Sequence, residues 1–335
     1  MINLKALKPN KVSTQFDKHS IFLYAEPKMG KSTTMFNILG DKCLFIATED
    51  GFGAIPGIMA QRVHTVSDIK EIIWQLQDMY EANELPFTSV CFDTVDNLEI
   101  MIQKYVCSVA GVQNMGDVGH GKLYAEYDKV LIGLINDLKA MGLGVHFISH
   151  SKLKKIEDKL NGCEYEKFLP SLSDRTQKIV LADCYFISFI FNKINEDKTE
   201  SRIMCFRNTM QFSAGSRFRH MPPFVPLNAG AFKQAVETAI KKEEEERAGS
   251  TTNSVVEDKA TKLDFKAIMA RGSELGAKLQ SAGHVDKLMT AVEETLGIDE
   301  STGKARLFNQ LKESQVETAN VLVMRLERIA KELGL

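Results

Sequence analysis

The stretch AEPKMGKSTT, residues 25–34, follows the apolar run Ile21-Phe22-Leu23-Tyr24 and leads into a segment with helical patterning. A tight turn between a strand and a helix points successive backbone N–H groups at one place. The helix that follows aims its positive end at the same place, so the unit suits a phosphate group. In the pattern GxxxxGK[ST] the last three positions are filled by Gly30, Lys31 and Ser32. Gly30 permits close backbone approach, Lys31 brings charge to the β- and γ-phosphates, and Ser32 offers a hydroxyl to Mg²⁺. The first position holds Ala25 rather than glycine. Alanine adds one methyl at the strand-to-loop turn and removes no donor. Ala25, Glu26, Pro27, Lys28, Met29, Gly30, Lys31, Ser32 and Thr33 are therefore the expected cradle for ATP, with Mg²⁺ as its metal.

A phosphate-bound Mg²⁺ also needs a carboxylate at the end of a neighbouring parallel strand. The segment TSVCFDTVDN, residues 88–97, runs four β-rich residues into Asp93, which is assigned to the metal with Ser32. Asp96 lies at the start of the following helix, where aspartate is a common structural choice. Hydrolysis further needs a group to orient or deprotonate water. The run CLFIATEDG ends in Glu49 and Asp50, and Glu49 is the expected base. The run GVHFISHSK ends in Ser149 and His150, and His150 is placed where a polar group can sense the γ-phosphate.

Up to about residue 240, strand-like runs alternate with helical patterns, the signature of βαβ units and a mostly parallel α/β sheet. The strand candidates are 21–24, 43–47, 89–92, 144–148, 184–191 and 202–206, with helices starting near Lys31, Ser67, Val95, Lys122 and Asp174. Residues 241–259 pass from charge into Gly, Ser, Thr and Asn and read as a linker. Residues 260–335 lack strand-like runs. Apolar residues recur there at helical spacing (Leu288, Val292, Leu296; Val321, Met324, Ile329), and Ser314 with Glu317 forms a capping-box pattern for the last helix. Three segments are expected: a domain over 1–240, the linker 241–259 and a small helical domain over 260–335.

The chain has 335 residues and a formal net charge of -2, so it has no global attraction for polyanions, and nucleic-acid binding would need local patches. The N-terminus lacks a secretory pattern, and no stretch approaches a membrane span. A cytoplasmic protein is expected. The six cysteines are widely spaced without a CxxC pair and read as small hydrophobes.

Lys31, Glu49, Asp93 and His150, in that order, resemble the stations of the RecA-like ATPase core. The sequences LYAEPKMGKST, GHGKLYAEY, ISHSK, EYEKFLPSLSDR and LADCYFISF are similar, in the same order, to segments of phage-encoded proteins of this core associated with single-strand annealing and recombination. The resemblance covers about residues 15–230. It implies a RecA-like P-loop core, DNA-stimulated ATPase activity, single-stranded DNA as partner, assembly as a homo-oligomeric filament or ring, and a phage-infected bacterial host. It also implies a DNA-binding loop after the sensor, where Lys152, Lys154, Lys155 and Lys159 lie, and a basic residue acting on a neighbour's site, for which Arg217 is the candidate. Arg217, Arg219 and His220 with Phe218 interleaved could instead pair phosphates and stack a base. Lys122 is a further basic candidate for DNA or an interface. The alternatives are a motor of the replicative-helicase type and a nucleotide-dependent module recruiting a protein partner through residues 260–335.

Overall fold

The computed structural model describes residues 12–13, 15–159, 161–247, 263–299 and 304–335. The chain falls into two compact units, Met1–Lys259 and Ala260–Leu335. Of the expected linker, residues 241–247 continue a helix, and residues 248–259 lie outside the described residues.

The first unit begins with β1 (Ile21–Ala25), α1 (Lys31–Leu39), β2 (Cys43–Ala47), β3 (Met59–Arg62), α2 (Val66–Glu81), β4 (Ser89–Asp93), α3 (Val95–Ala110) and α4 (Lys122–Ala140). It continues with β5 (Gly144–Asp158), β6 (Cys163–Pro170), α5 (Asp174–Asp183), β7 (Phe186–Ile194), β8 (Glu200–Cys205), β9 (Gly215–Ser216), β10 (Phe224–Pro226) and α6 (Ala229–Arg247). The main sheet runs β10-β8-β7-β1-β5-β4-β2-β3. Strands β7 through β3 in that order are parallel, and β8 pairs antiparallel with both β7 and β10.

Strands β1, β2 and β4 are buried along their whole length, as a sheet covered on both faces requires. Alternation divides them between two cores. Phe22, Tyr24, Val90 and Phe92 pack with α2, α3 and α4, whereas Ile21, Leu23, Ala25 and Cys91 pack with α1 and α6. Ala25 is thus a buried core residue, and its methyl belongs to the packing that holds α1 on the sheet. The cysteines are free, and all but Cys163 are buried.

Two sequence expectations need correction in this unit. The basic segment after His150 is not a loop: β5 overruns the sheet and pairs with β6 from Ser151 opposite Pro170 to Asp158 opposite Cys163. Leu153 faces Phe168 and Ile156 faces Tyr165 across this hairpin, and such apolar cross-strand pairs stabilise it. The other correction is β3, whose four residues are all exposed and so carry no apolar signal.

The second unit contains α7 (Phe265–Ser281), α8 (Val285–Leu296), β11 (Ile298–Asp299), β12 (Lys304–Ala305) and α9 (Val316–Glu332). It is not purely helical, because β11 and β12 pair antiparallel over two residues each, too short for a strand pattern. Leu275, Leu279, Leu296, Leu322 and Leu326 form its core, while Val321 and Met324 face solvent. The Ser314 cap does not form. Ser314 lies inside a 3₁₀ turn over Glu313–Gln315, and α9 starts after Gln315 without a side-chain cap. Among the described residues no helix is long and apolar enough to cross a membrane.

Phe232 anchors α6, with ring centroids 5.1 Å from Phe186 and 5.6 Å from Phe206. Phe232→Ala is expected to cost about 3–5 kcal/mol in urea unfolding. A cost below about 1 kcal/mol would contradict this packing.

Candidate functional site

The ends of four parallel strands set the site. β1 ends at Ala25, in register with His150 on β5; β4 ends at Asp93, in register with Ala47, the last residue of β2. These are carboxyl ends, where ligands of open α/β sheets bind. From Ala25 the chain turns through Lys28, with φ of 63°, to Gly30, with φ of 91°, which caps α1. A residue with a side chain would be strained at Gly30, so the glycine is required by the backbone.

Lys31 is buried as the first residue of α1. Its Nζ donates to the carbonyls of Glu26 at 3.0 Å and Ala25 at 3.2 Å, and faces Nδ1 of His150 at 3.5 Å. Burial lowers its pKa, opposed by the charges of Asp93, Asp96 and Glu49. Ser32 donates its hydroxyl to Oδ2 of Asp93 at 2.5 Å. Asp93 is buried, and desolvation pushes its pKa up to about 6; the Ser32 bond opposes this rise. A hydroxyl and a buried carboxylate with an unfavourable charge fit a hard divalent cation. Ser32 and Asp93 are the residues that would hold Mg²⁺.

Glu49 is fixed by three donors. Its Oε1 accepts from the Thr94 hydroxyl at 2.8 Å, from Nδ2 of Asn97 at 3.2 Å and from Nε2 of His150 at 3.2 Å. Because the Lys31 ammonium can only donate to Nδ1, the neutral imidazole carries its proton on Nε2 and donates to Glu49. His150 therefore bridges Lys31 and Glu49.

Asp96, read from sequence as a helix-start residue only, has a specific task. Its Oδ2 accepts from the His150 backbone N–H at 3.1 Å, and its Oδ1 accepts from the Ser171 hydroxyl. Ser171 N–H in turn donates to the His150 carbonyl at 2.9 Å. Asp96 thus clamps the base of the β5–β6 hairpin at His150. Thr94, Asn97 and Asp96 all follow Asp93 within one helical turn, so the pattern DTVDN held the signal that sequence reading left unused.

The other candidates have partners of their own. Arg217 donates from Nε to the Cys184 carbonyl at 3.1 Å and from Nη2 to that of Ala182, and lies over the Tyr185 ring. It caps the end of α5 beside the start of β7, at the amino ends of the parallel strands and away from the phosphate loop of its own chain. Phe218 stacks on Phe186 at 5.1 Å and touches His19, so it is engaged inside the protein rather than available as an open stacking platform. Arg219 pairs with Glu246, and His220 lies 3.4 Å from Glu243. Lys152 donates to the Leu172 carbonyl, and Lys155 pairs with Glu164. Lys154 and Lys159 are exposed on the hairpin, and Lys122 is the exposed first residue of α4. Beside the loop lies a cavity of 820 Å³ that includes Glu26, Met29, Phe168, Phe191 and Asn192 in its walls.

The family profile described as "AAA domain" matches residues 17–218, the span that holds every residue of this site. A curated relative, "SPbeta prophage-derived uncharacterized protein YorG" of Bacillus subtilis (strain 168), is 25% identical over 285 residues, covering 83% of this chain and 84% of the relative.

The raised pKa of Asp93 has a consequence for the metal-free protein. Well below pH 4 the carboxyl is protonated whether folded or not; between about pH 4 and 6 the unfolded chain ionises while the folded state keeps its proton, so stability falls, and above about 6 the folded state carries the buried charge at a constant cost. Asp93→Asn is therefore expected to stabilise the metal-free protein at pH 8 by roughly 1–3 kcal/mol, with the gain fading toward pH 4. Thermal unfolding across that range checks it. A gain that does not vary with pH would contradict the assignment.

Proposed function

Because this chain belongs to the AAA-domain family of P-loop NTPases, we propose that it hydrolyses ATP with Mg²⁺ and uses the cycle to act on single-stranded DNA, in phage recombination or annealing. The observation that carries the reading is the chain of contacts from Lys31 through His150 to Glu49, with Ser32 and Asp93 beside it.

The loop amides and Lys31 bind the phosphates, and the ammonium leaves the Ala25 and Glu26 carbonyls to do so. Ser32 and Asp93 hold Mg²⁺, which supplies positive charge against the phosphate oxygens. Glu49 takes the proton of the attacking water; Thr94, Asn97 and His150 fix its carboxylate for that transfer. When Lys31 moves to the phosphates, Nδ1 of His150 loses its donor. Asp96 and Ser171 carry a shift of His150 into the β5–β6 hairpin, where the exposed Lys154 and Lys159 meet a DNA backbone. Phage origin draws support from the prophage relative, and the chemistry from the site.

A second reading is a nucleotide-dependent module that recruits a protein through residues 260–335. It is favoured by a cavity of 630 Å³ in that unit, with Leu288, Met289, Val292 and Phe308 in its wall.

ATPase rates with and without single-stranded DNA separate the two. Turnover is expected to rise with DNA, with binding weakening as salt rises by a log–log slope of about -0.7 per contacted phosphate. Lys31→Ala is expected to abolish turnover. Unchanged turnover in Lys31→Ala would sink the site, and ATP binding without DNA stimulation would favour the recruiting module.

A further inference from the structure

β1 is flanked by β5, which brings His150, and by β7, beyond which lies β8. On that second side Arg202 of β8 approaches the phosphate loop. A Cβ built on Gly30 would lie 3.7 Å from Nη1 of Arg202 and 3.7 Å from Cδ2 of Leu227. The approach is anchored by backbone, since Leu227 N–H donates to the Arg202 carbonyl at 2.8 Å. Arg202 lies opposite Asn192 in the β7–β8 register, and residues directly opposite in an antiparallel pair share a face. Asn192 lines the cavity beside Glu26 and Met29.

The guanidinium of Arg202 has no ion pair or hydrogen bond among the described residues, unlike Arg62, Arg175, Arg217 and Arg219. Lys31, in contrast, sits in the field of three carboxylates, those of Asp93, Asp96 and Glu49, which already offset its charge. A nucleoside triphosphate brings several negative charges to this loop. Arg202 is thus an uncompensated cation beside Gly30, and its planar fork matches two phosphate oxygens at once.

We propose that Arg202 is a second phosphate-binding cation of this site, supplied by the same chain and acting on the triphosphate from the β7–β8 side of the loop. The inference rests on the reading that the loop holds a nucleotide. Arg217, internally bonded at the opposite ends of the strands, cannot take this place.

The test is equilibrium binding of ATP, ADP and adenosine to the full chain, for the unaltered protein, Arg202→Ala and Arg202→Lys, with thermal unfolding of each unliganded protein. Arg202→Ala is expected to weaken ATP and ADP binding about 10- to 100-fold, to flatten the salt dependence, and to leave adenosine binding and the unliganded melting temperature unchanged. Arg202→Lys is expected to recover part of the loss. Unchanged ATP affinity in Arg202→Ala would overturn the proposal while leaving the loop reading intact. Equal losses in both variants together with a lowered melting temperature would mark Arg202 as a packing residue and also overturn it. Failure of the unaltered protein to bind ATP would instead overturn the loop reading on which it stands.

Discussion

The Ser32 hydroxyl meets the Asp93 carboxylate at 2.5 Å, although the two belong to elements that enter the site from different strands. Ser32 is on the first turn of α1, directly after β1, and Asp93 ends β4; β5 lies between those strands. The contact exists because parallel strands in register finish at one level and because the loop returns α1 over the strand ends. Burying the carboxylate there is unfavourable in the metal-free protein, as its raised pKa records. A fold that holds such a group in place stores a binding site for a cation.

The remaining charged groups are arranged around that carboxylate. Lys31 uses loop carbonyls and His150 to satisfy its donors while buried, so its charge stays paired in the metal-free protein and those contacts are the ones a nucleotide must replace. Glu49 is restrained by Thr94, Asn97 and His150, so its geometry does not depend on a ligand. His150 belongs to both groups. It also has Asp96 at its backbone, and through Ser171 the hairpin beyond. One imidazole thus links the phosphate loop, Glu49 and the β5–β6 hairpin.

Much of this was legible in the sequence because each station stands at the end of an apolar run. Buried parallel strands are apolar along their length, so their polar ends stand out, as at Glu49, Asp93 and His150. The helices beginning at Val95, Lys122 and Asp174 start where the sequence pattern placed them. What escaped reading depends on pairing between distant segments. Thr94 and Asn97 acquire meaning only when β2 lies beside β4, and the hairpin only when Leu153 and Ile156 find Phe168 and Tyr165. Arg217 and Phe218 have the composition of a nucleic-acid contact, yet carbonyls at the end of α5 and the ring of Phe186 take them up. Ser314 matched a capping pattern, but the 3₁₀ turn over Glu313–Gln315 shifts the helix start past it.

The central claim is that these strand ends form a prearranged triphosphate and metal site. A crystal structure of the chain with Mg²⁺ and a non-hydrolysable ATP analogue tests it most directly. The account predicts Lys31 Nζ moved from the Ala25 and Glu26 carbonyls onto phosphate oxygens, the metal beside Ser32 and Asp93, and Glu49 still held by Thr94 and Asn97. An analogue bound away from the loop, or Lys31 still on its carbonyls with the nucleotide present, would contradict it.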